Sequence, residues 1–145
     1  MFFVMSITVV AMCIVVSLHH EVLTHLTAVH FRRGWSNRLL LPSGMLLVIF
    51  THIAEIWIFA VAYKVALTRP GSGGFAGPFD FQWVDFAYFS FVSYTTLGYG
   101  EIVPTGGLRF MAGTEAIVGL VLIAWSASFS YLQMERTMLR VGETN

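Results

Sequence analysis

Thr95-Thr96-Leu97-Gly98-Tyr99-Gly100-Glu101 stands behind an aromatic stretch, residues 79–94, and just ahead of a long apolar run that begins near Gly107. Two glycines around a tyrosine, preceded by two threonines, can line up a row of backbone carbonyls facing one axis. Such a row replaces the water shell of a dehydrated cation. Gly98 and Gly100 suit a loop whose backbone angles are closed to residues carrying a Cβ. Gly-x-Gly alone would also suit a plain turn between two helices. The residues on either side decide between these readings.

The chain has 145 residues, of which 57% are hydrophobic and 11% charged, and its mean hydropathy is +0.74. Soluble domains carry about 25% charged residues, so the composition is that of a membrane protein. Eight basic and eight acidic side chains cancel, which argues against nucleic acid as a partner. Cys13, the single cysteine, lies in an apolar run and reads as a small buried hydrophobe.

Three segments approach the roughly 20 residues a membrane helix needs. Phe2 to Leu18 carries no charge; Leu39 to Leu67 is broken by His52, Glu55 and Lys64; Gly107 to Leu132 has Arg109 and Glu115 near its start. The first lacks the basic start and small-residue cleavage pattern of a signal peptide, so we expect a retained helix. Residues 79–94 are too short and too polar to span. Pro70 to Pro78, PGSGGFAGP, is a turn-rich linker, with Asp80 as the expected N-cap of a short helix after it.

Arg32, Arg33, Arg38, Arg136 and Arg140 fall on one side of these spans, and Lys64, Arg69 and Arg109 on the other. The positive-inside rule then predicts an outside N-terminus and a cytoplasmic C-terminus. Irregular backbone at membrane depth is tolerated only where protein buries it or where it lines an aqueous cavity. The loop at 95–101 occurs once in the chain, so a ring of carbonyls requires several copies around a symmetry axis.

From Asp85 to Pro104 the sequence reads DFAYFSFVSYTTLGYGEIVP. This resembles the pore helix, filter and outer mouth of two-span potassium-channel pores, whose filter signature is Thr-Val-Gly-Tyr-Gly. The resemblance covers about residues 40–133. It implies an all-α membrane protein with three transmembrane helices per subunit and a tetrameric pore of identical subunits in the cell membrane. The implied order is an extra N-terminal helix and cytoplasmic linker over 1–38, and a pore domain over 39–133. Within that domain fall an outer helix at 39–67, turret at 68–79, pore helix at 80–94, filter at 95–100 and inner helix at 107–133. A short cytoplasmic tail follows at 134–145.

The resemblance further implies that the carbonyls of Thr96, Leu97, Gly98 and Tyr99 bind K⁺, with the Thr96 hydroxyl as the innermost layer and no organic cofactor. Thr95, Gly100 and Glu101 support the loop. Tyr88 and Phe89 occupy positions where many such channels carry tryptophans bracing the filter tyrosine. Phe89 has no donor, so we expect Glu101 to reach Tyr88. Val92 stands where some channels carry a Glu. Gly119 matches the hinge glycine of the inner helix. A mid-helix glycine costs roughly 1 kcal/mol, which either bending or close packing would justify. The implied function is potassium conduction and not catalysis. The alternatives are a nonselective cation channel and a nonconducting accessory subunit that keeps the pore fold.

Ionisable groups inside a span are costly and face the protein interior. Glu55, with His52 one turn earlier on the same face, and Glu115 fall at similar depths. We expect them near each other or near the pore helix, with at least one protonated or bonded to Ser90, Ser93 or a backbone group. That arrangement would be a structural hydrogen bond or a proton sensor. His20-Glu21-Val-Leu-Thr-His25 has one residue too many for the His-Glu-x-x-His zinc motif, placing its histidines about 140° apart on a helix. His19, His20, Glu21, His25 and His30 are expected as a solvated cluster at the inner surface, the alternative being a metal-binding ring contributed by several subunits. The extra helix is expected on the lipid side of the second span.

Overall fold

The computed structural model describes residues 1–33 and 40–143, with side chains over 1–28 and 42–136. Arg32, Arg33, Arg38, Arg140 and the side chain of His30, used above for topology and for the histidine cluster, lie outside the described side chains. The element order is α1 (Phe2–Arg33), α2 (Leu40–Ala66), β1 (Gly74–Ala76), α3 (Trp83–Tyr94), β2 (Val103–Thr105) and α4 (Leu108–Glu143). Three of these helices, over Phe2–Ala28, Pro42–Ala66 and Leu108–Arg136, are long and apolar enough to cross a membrane.

α1 runs well past Leu18, where the uncharged stretch stops. Residues 19–33 contain no Gly or Pro, so nothing in the backbone ends the helix there. Val4, Thr8, Ala11, Val15, His19, Leu23 and Leu26 are buried, a stripe at helical spacing that faces the rest of the bundle. The helix does not sit on the lipid side of α2 alone. His19 reaches Ser126 on α4 and packs 5.5 Å from the Trp125 ring, so α1 lies in the groove between α2 and α4. The N-terminal end of α1 meets the loop after α2, with the Arg69 guanidinium 4.4 Å from the Phe3 ring.

α3 is a 12-residue helix lodged between α2 and α4. Asp80 is not its cap. The N-cap is Gln82, in a capping box with Asp85. The Asp85 carboxylate accepts from the backbone N–H of Asp80 at 3.0 Å and of Gln82 at 3.1 Å. An acidic group on the first turn thus serves two donors that a helix start leaves unpaired. Phe86, Ala87, Phe89, Ser90, Val92, Ser93 and Tyr94 are buried, which accounts for the aromatic composition of the segment.

The turn-rich linker holds a strand that hydropathy did not foresee. β1 pairs antiparallel with β2, Phe75 opposite Pro104, tying the linker to the chain leaving the filter loop. Phe75 stacks on Phe79 at 4.2 Å and meets Phe89 of α3 edge-on at 4.7 Å.

α4 is continuous through Gly119. A Cβ on Gly119 would lie 2.1 Å from the Tyr94 carbonyl oxygen at the end of α3. Close packing therefore explains this glycine, which lets the α4 backbone touch the end of the short helix. Gly113, on the same helix, has nothing within 4 Å of such a Cβ. Gly119→Ala should lower the stability of the detergent-solubilised protein by roughly 1–3 kcal/mol. Gly113→Ala should leave it unchanged or raise it by up to about 1 kcal/mol. Thermal unfolding of the two variants side by side reads the difference.

Candidate functional site: the glycine loop and its buried supports

The loop begins where α3 ends. Thr95 caps the helix, and the N–H groups of Thr96 and Leu97 donate back to Ser93 and Val92 at 3.1 Å. Beyond that point the chain turns outward, and residues 95–101 are exposed on the protomer. Among the described residues, the carbonyls of Thr96, Leu97, Gly98 and Tyr99 accept no hydrogen bond. Gly98 has φ +100°, as expected of a glycine the loop requires. Gly100 does not share that conformation. Thr96 takes it instead, at φ +56°, an unusual place for a β-branched residue.

Tyr99 lies flat against Phe89, with ring centroids 5.4 Å apart and planes 7° from parallel. Behind Phe89 stand Tyr63, 5.1 Å away edge-on, and Phe75. The predicted bond between Tyr88 and Glu101 is not formed: among the described residues the two share no hydrogen bond, and Tyr88 is exposed. The Tyr88 hydroxyl stands instead near Gly100, 3.8 Å from where a Cβ there would lie. Within one protomer the tyrosine is therefore held by ring packing. Val92 is buried and contributes its carbonyl to the Leu97 bond.

Two carboxylates lie completely buried behind this loop. Glu115 of α4 accepts from the Tyr63 hydroxyl of α2 at 2.5 Å and is hydrogen-bonded to Ser90 of α3. The Ser90 hydroxyl also reaches the Ile56 carbonyl at 2.8 Å. Its single hydrogen serves one of these acceptors. If it goes to Ile56, Glu115 completes the set as a carboxylic acid donating to Ser90. The expected Ser90 contact is thus present.

Glu55 is not paired with Glu115. It meets α3 one turn farther on, accepting from the Tyr94 hydroxyl, from His52 Nδ1 at 3.0 Å and from His19 Nδ1 at 2.9 Å. The two ring Nε2 atoms converge on Ser126 Oγ of α4, His52 at 3.1 Å and His19 at 3.2 Å. His19 therefore does not belong to a solvated inner cluster. It is buried in the bundle, whereas His20, Glu21 and His25 are exposed. Composition gave no signal for this, because His19 sits beside an exposed histidine and its partners are 36 and 107 positions away. Its register with Val4, Ala11 and Val15 is the one clue the sequence carries.

Residues 45–134 match the family model Ion_trans_2, described as an ion channel. The chain belongs to this ion channel family. With three helices able to span, it is a membrane protein. The matched stretch begins inside α2 and ends inside α4, so it contains α3, the glycine loop and both carboxylates and leaves α1 outside. No curated protein and no solved structure matches the chain.

The channel's short helix is held by polar groups that have no water to fall back on. Removing one partner of a buried set costs about 1–3 kcal/mol. Glu115→Gln can still accept from Tyr63 and donate to Ser90, so it should keep the protein's thermal stability to within about 1 kcal/mol. Glu115→Leu leaves the buried Tyr63 hydroxyl unpaired while Ser90 keeps the Ile56 carbonyl, and should lower stability by roughly 1–3 kcal/mol, with loss of folded protein on gel filtration.

Proposed function

We propose that four copies of this chain form a potassium-selective channel of the cell membrane, with K⁺ coordinated by the carbonyls of Thr96, Leu97, Gly98 and Tyr99. The observation carrying this reading is an exposed glycine loop at the end of α3 whose carbonyls, those of Thr96 to Tyr99 included, accept no hydrogen bond among the described residues. In a membrane chain such groups need partners. A dehydrated cation on a shared axis supplies them, and replacing its water shell by rings of carbonyls is how filters of this kind conduct. The Thr96 hydroxyl adds a ligand below the carbonyls. Thr95, Gly100, Glu101, Tyr88 and Phe89 form the shell around them.

Copy number four rests on the likeness of TTLGYGE to potassium-channel filters and on the single occurrence of the loop in the chain. The N-terminus of α1 and the loop after α2 lie at one end of the bundle, which agrees with both facing outside. The arginine bias then puts the C-terminus in the cytoplasm. Gly119 in this reading is a packing glycine that seats the inner helix on the pore helix.

A second reading has a specific observation behind it. Phe89 holds Tyr99 by stacking and offers it no hydrogen bond. A filter tyrosine held that way has a softer radius, which favours a cation channel that discriminates poorly. Purified protein in liposomes separates the readings: K⁺ flux exceeding Na⁺ flux by about a hundredfold or more, roughly 3 kcal/mol, supports the first. Comparable fluxes support the second, and no flux with a stable oligomer points to the nonconducting subunit. Gly98→Ala, which puts a Cβ on a φ of +100°, should abolish selective flux in either conducting case.

A further inference from the structure

His19, His52 and Glu55 bring three ligand-type atoms within 4.8 Å of one another. We propose that they form a binding site for a divalent transition metal ion such as Zn²⁺, clamping α1 to α2 beside the end of α3. This set is not the exposed histidine run of the sequence. Only His19 is common to both, and the other members come from α2.

The donor chemistry selects the ion class. Two imidazoles and one carboxylate suit Zn²⁺ and its neighbours, whereas Mg²⁺, Ca²⁺ and K⁺ prefer all-oxygen shells. Ligand atoms about 2.0–2.1 Å from a tetrahedral ion stand roughly 3.3 Å apart. His19 Nδ1 lies 2.9 Å from Glu55 Oε1 and His52 Nδ1 lies 3.0 Å from Oε2, so the rings flank the two oxygens of one carboxylate, and side-chain adjustment within the 4.8 Å cluster seats an ion. The Tyr94 hydroxyl, 2.9 Å from His52 Nδ1, stands beside a fourth position. His52, the partly exposed member with 17% of its side chain accessible, marks the edge by which an ion enters.

The orienting partner supplies the second argument. Both Nε2 atoms face Ser126 Oγ. A metal on the two Nδ1 atoms leaves each ring its proton on Nε2, so both rings can donate to the lone pairs of Ser126. Ligating histidines ordinarily donate their other ring N–H to just such a partner, which fixes tautomer and ring orientation. Ser126 is thus the orienting residue of the site.

The test uses the full-length protein in detergent, stripped with EDTA. Reloaded with Zn²⁺, it should hold one ion per chain by elemental analysis. Co²⁺ in its place should give the intense visible bands of a four-coordinate site. His19→Gln and Glu55→Gln should each remove the bands and cost at least about tenfold in Zn²⁺ affinity, and Ser126→Ala should cost roughly 10–100-fold through the ring orientation alone. Circular dichroism and gel filtration establish that each variant is folded. Wild-type protein that takes up no Zn²⁺ overturns the proposal and leaves the cluster as a hydrogen-bonded brace. Uptake unchanged in His19→Gln also overturns it, placing the ion on the exposed His20 and His25.

Discussion

A polar group buried at membrane depth must find its partner within the protein, and this constraint organises the bundle. α3 is too short to be a stable helix on its own, since isolated helices under about 12–15 residues are marginal even in water. Its C-terminal half is held by two carboxylates that engage it one turn apart. Glu115, brought by α4, engages Ser90 with Tyr63 of α2 behind it. Glu55, brought by α2, engages Tyr94 with both histidines behind it. Because the partners of the two carboxylates are drawn from α1, α2 and α3, with Glu115 itself on α4, they also fix how α1, α2 and α4 stand around α3. Shifting any one helix by a turn would strand a charge or a hydroxyl in an apolar surround, at a cost of several kcal/mol.

The clamp has a direct bearing on the glycine loop. Tyr94 is the last residue of α3, its hydroxyl fixed by Glu55 and its carbonyl pressed against Gly119. The loop therefore starts from a residue held on both sides, with Thr96 and Leu97 bonded back to the last turn. Farther out the restraint changes in kind. Tyr99 is positioned through Phe89, and Phe89 rests on Phe75 and Tyr63. Phase by phase along the loop, control passes from directional bonds at its base to ring packing at its mouth. Ring packing is less specific about distance than a hydrogen bond, so the mouth is the softer part. The β1–β2 pairing stiffens it indirectly, because β1 carries Phe75 and β2 follows Glu101 by two residues.

How much of this could be read from the chain depended on the range of the interaction. The three long apolar helices and the short aromatic one follow from hydropathy and length, which are local. The Ser90–Glu115 contact was within reach because both residues stood out as polar in apolar surroundings and one was already assigned to the short helix. His19 did not stand out, since its neighbours His20 and Glu21 made the whole run look solvated. A carboxylate on α2 and a serine on α4 decide its environment, and no local property encodes that. α1 continues past its uncharged stretch for a related reason: loss of hydropathy is not loss of helix propensity, and residues 19–33 lack a breaker. The β1–β2 pair, three residues a side, is below the length at which alternation carries a signal. The Asp85 cap was masked by Asp80, an equally good capping type five residues earlier.

The same constraint shows what one protomer leaves unfinished. Much of its interior is satisfied: Glu55, Glu115, His19, His52 and the hydroxyls of Ser90, Tyr94 and Ser126 have partners, whereas the buried Ser93 hydroxyl has none among the described residues. On the exposed loop the carbonyls of Thr96, Leu97, Gly98 and Tyr99 have none either among the described residues. Water serves such carbonyls at an aqueous surface and a cation serves them in a pore, whereas lipid offers no donor. In the tetrameric pore proposed above, an ion on the shared axis would meet the requirement. Polar groups mostly paired inside the protomer and unpaired along its loop are the pattern that proposal requires.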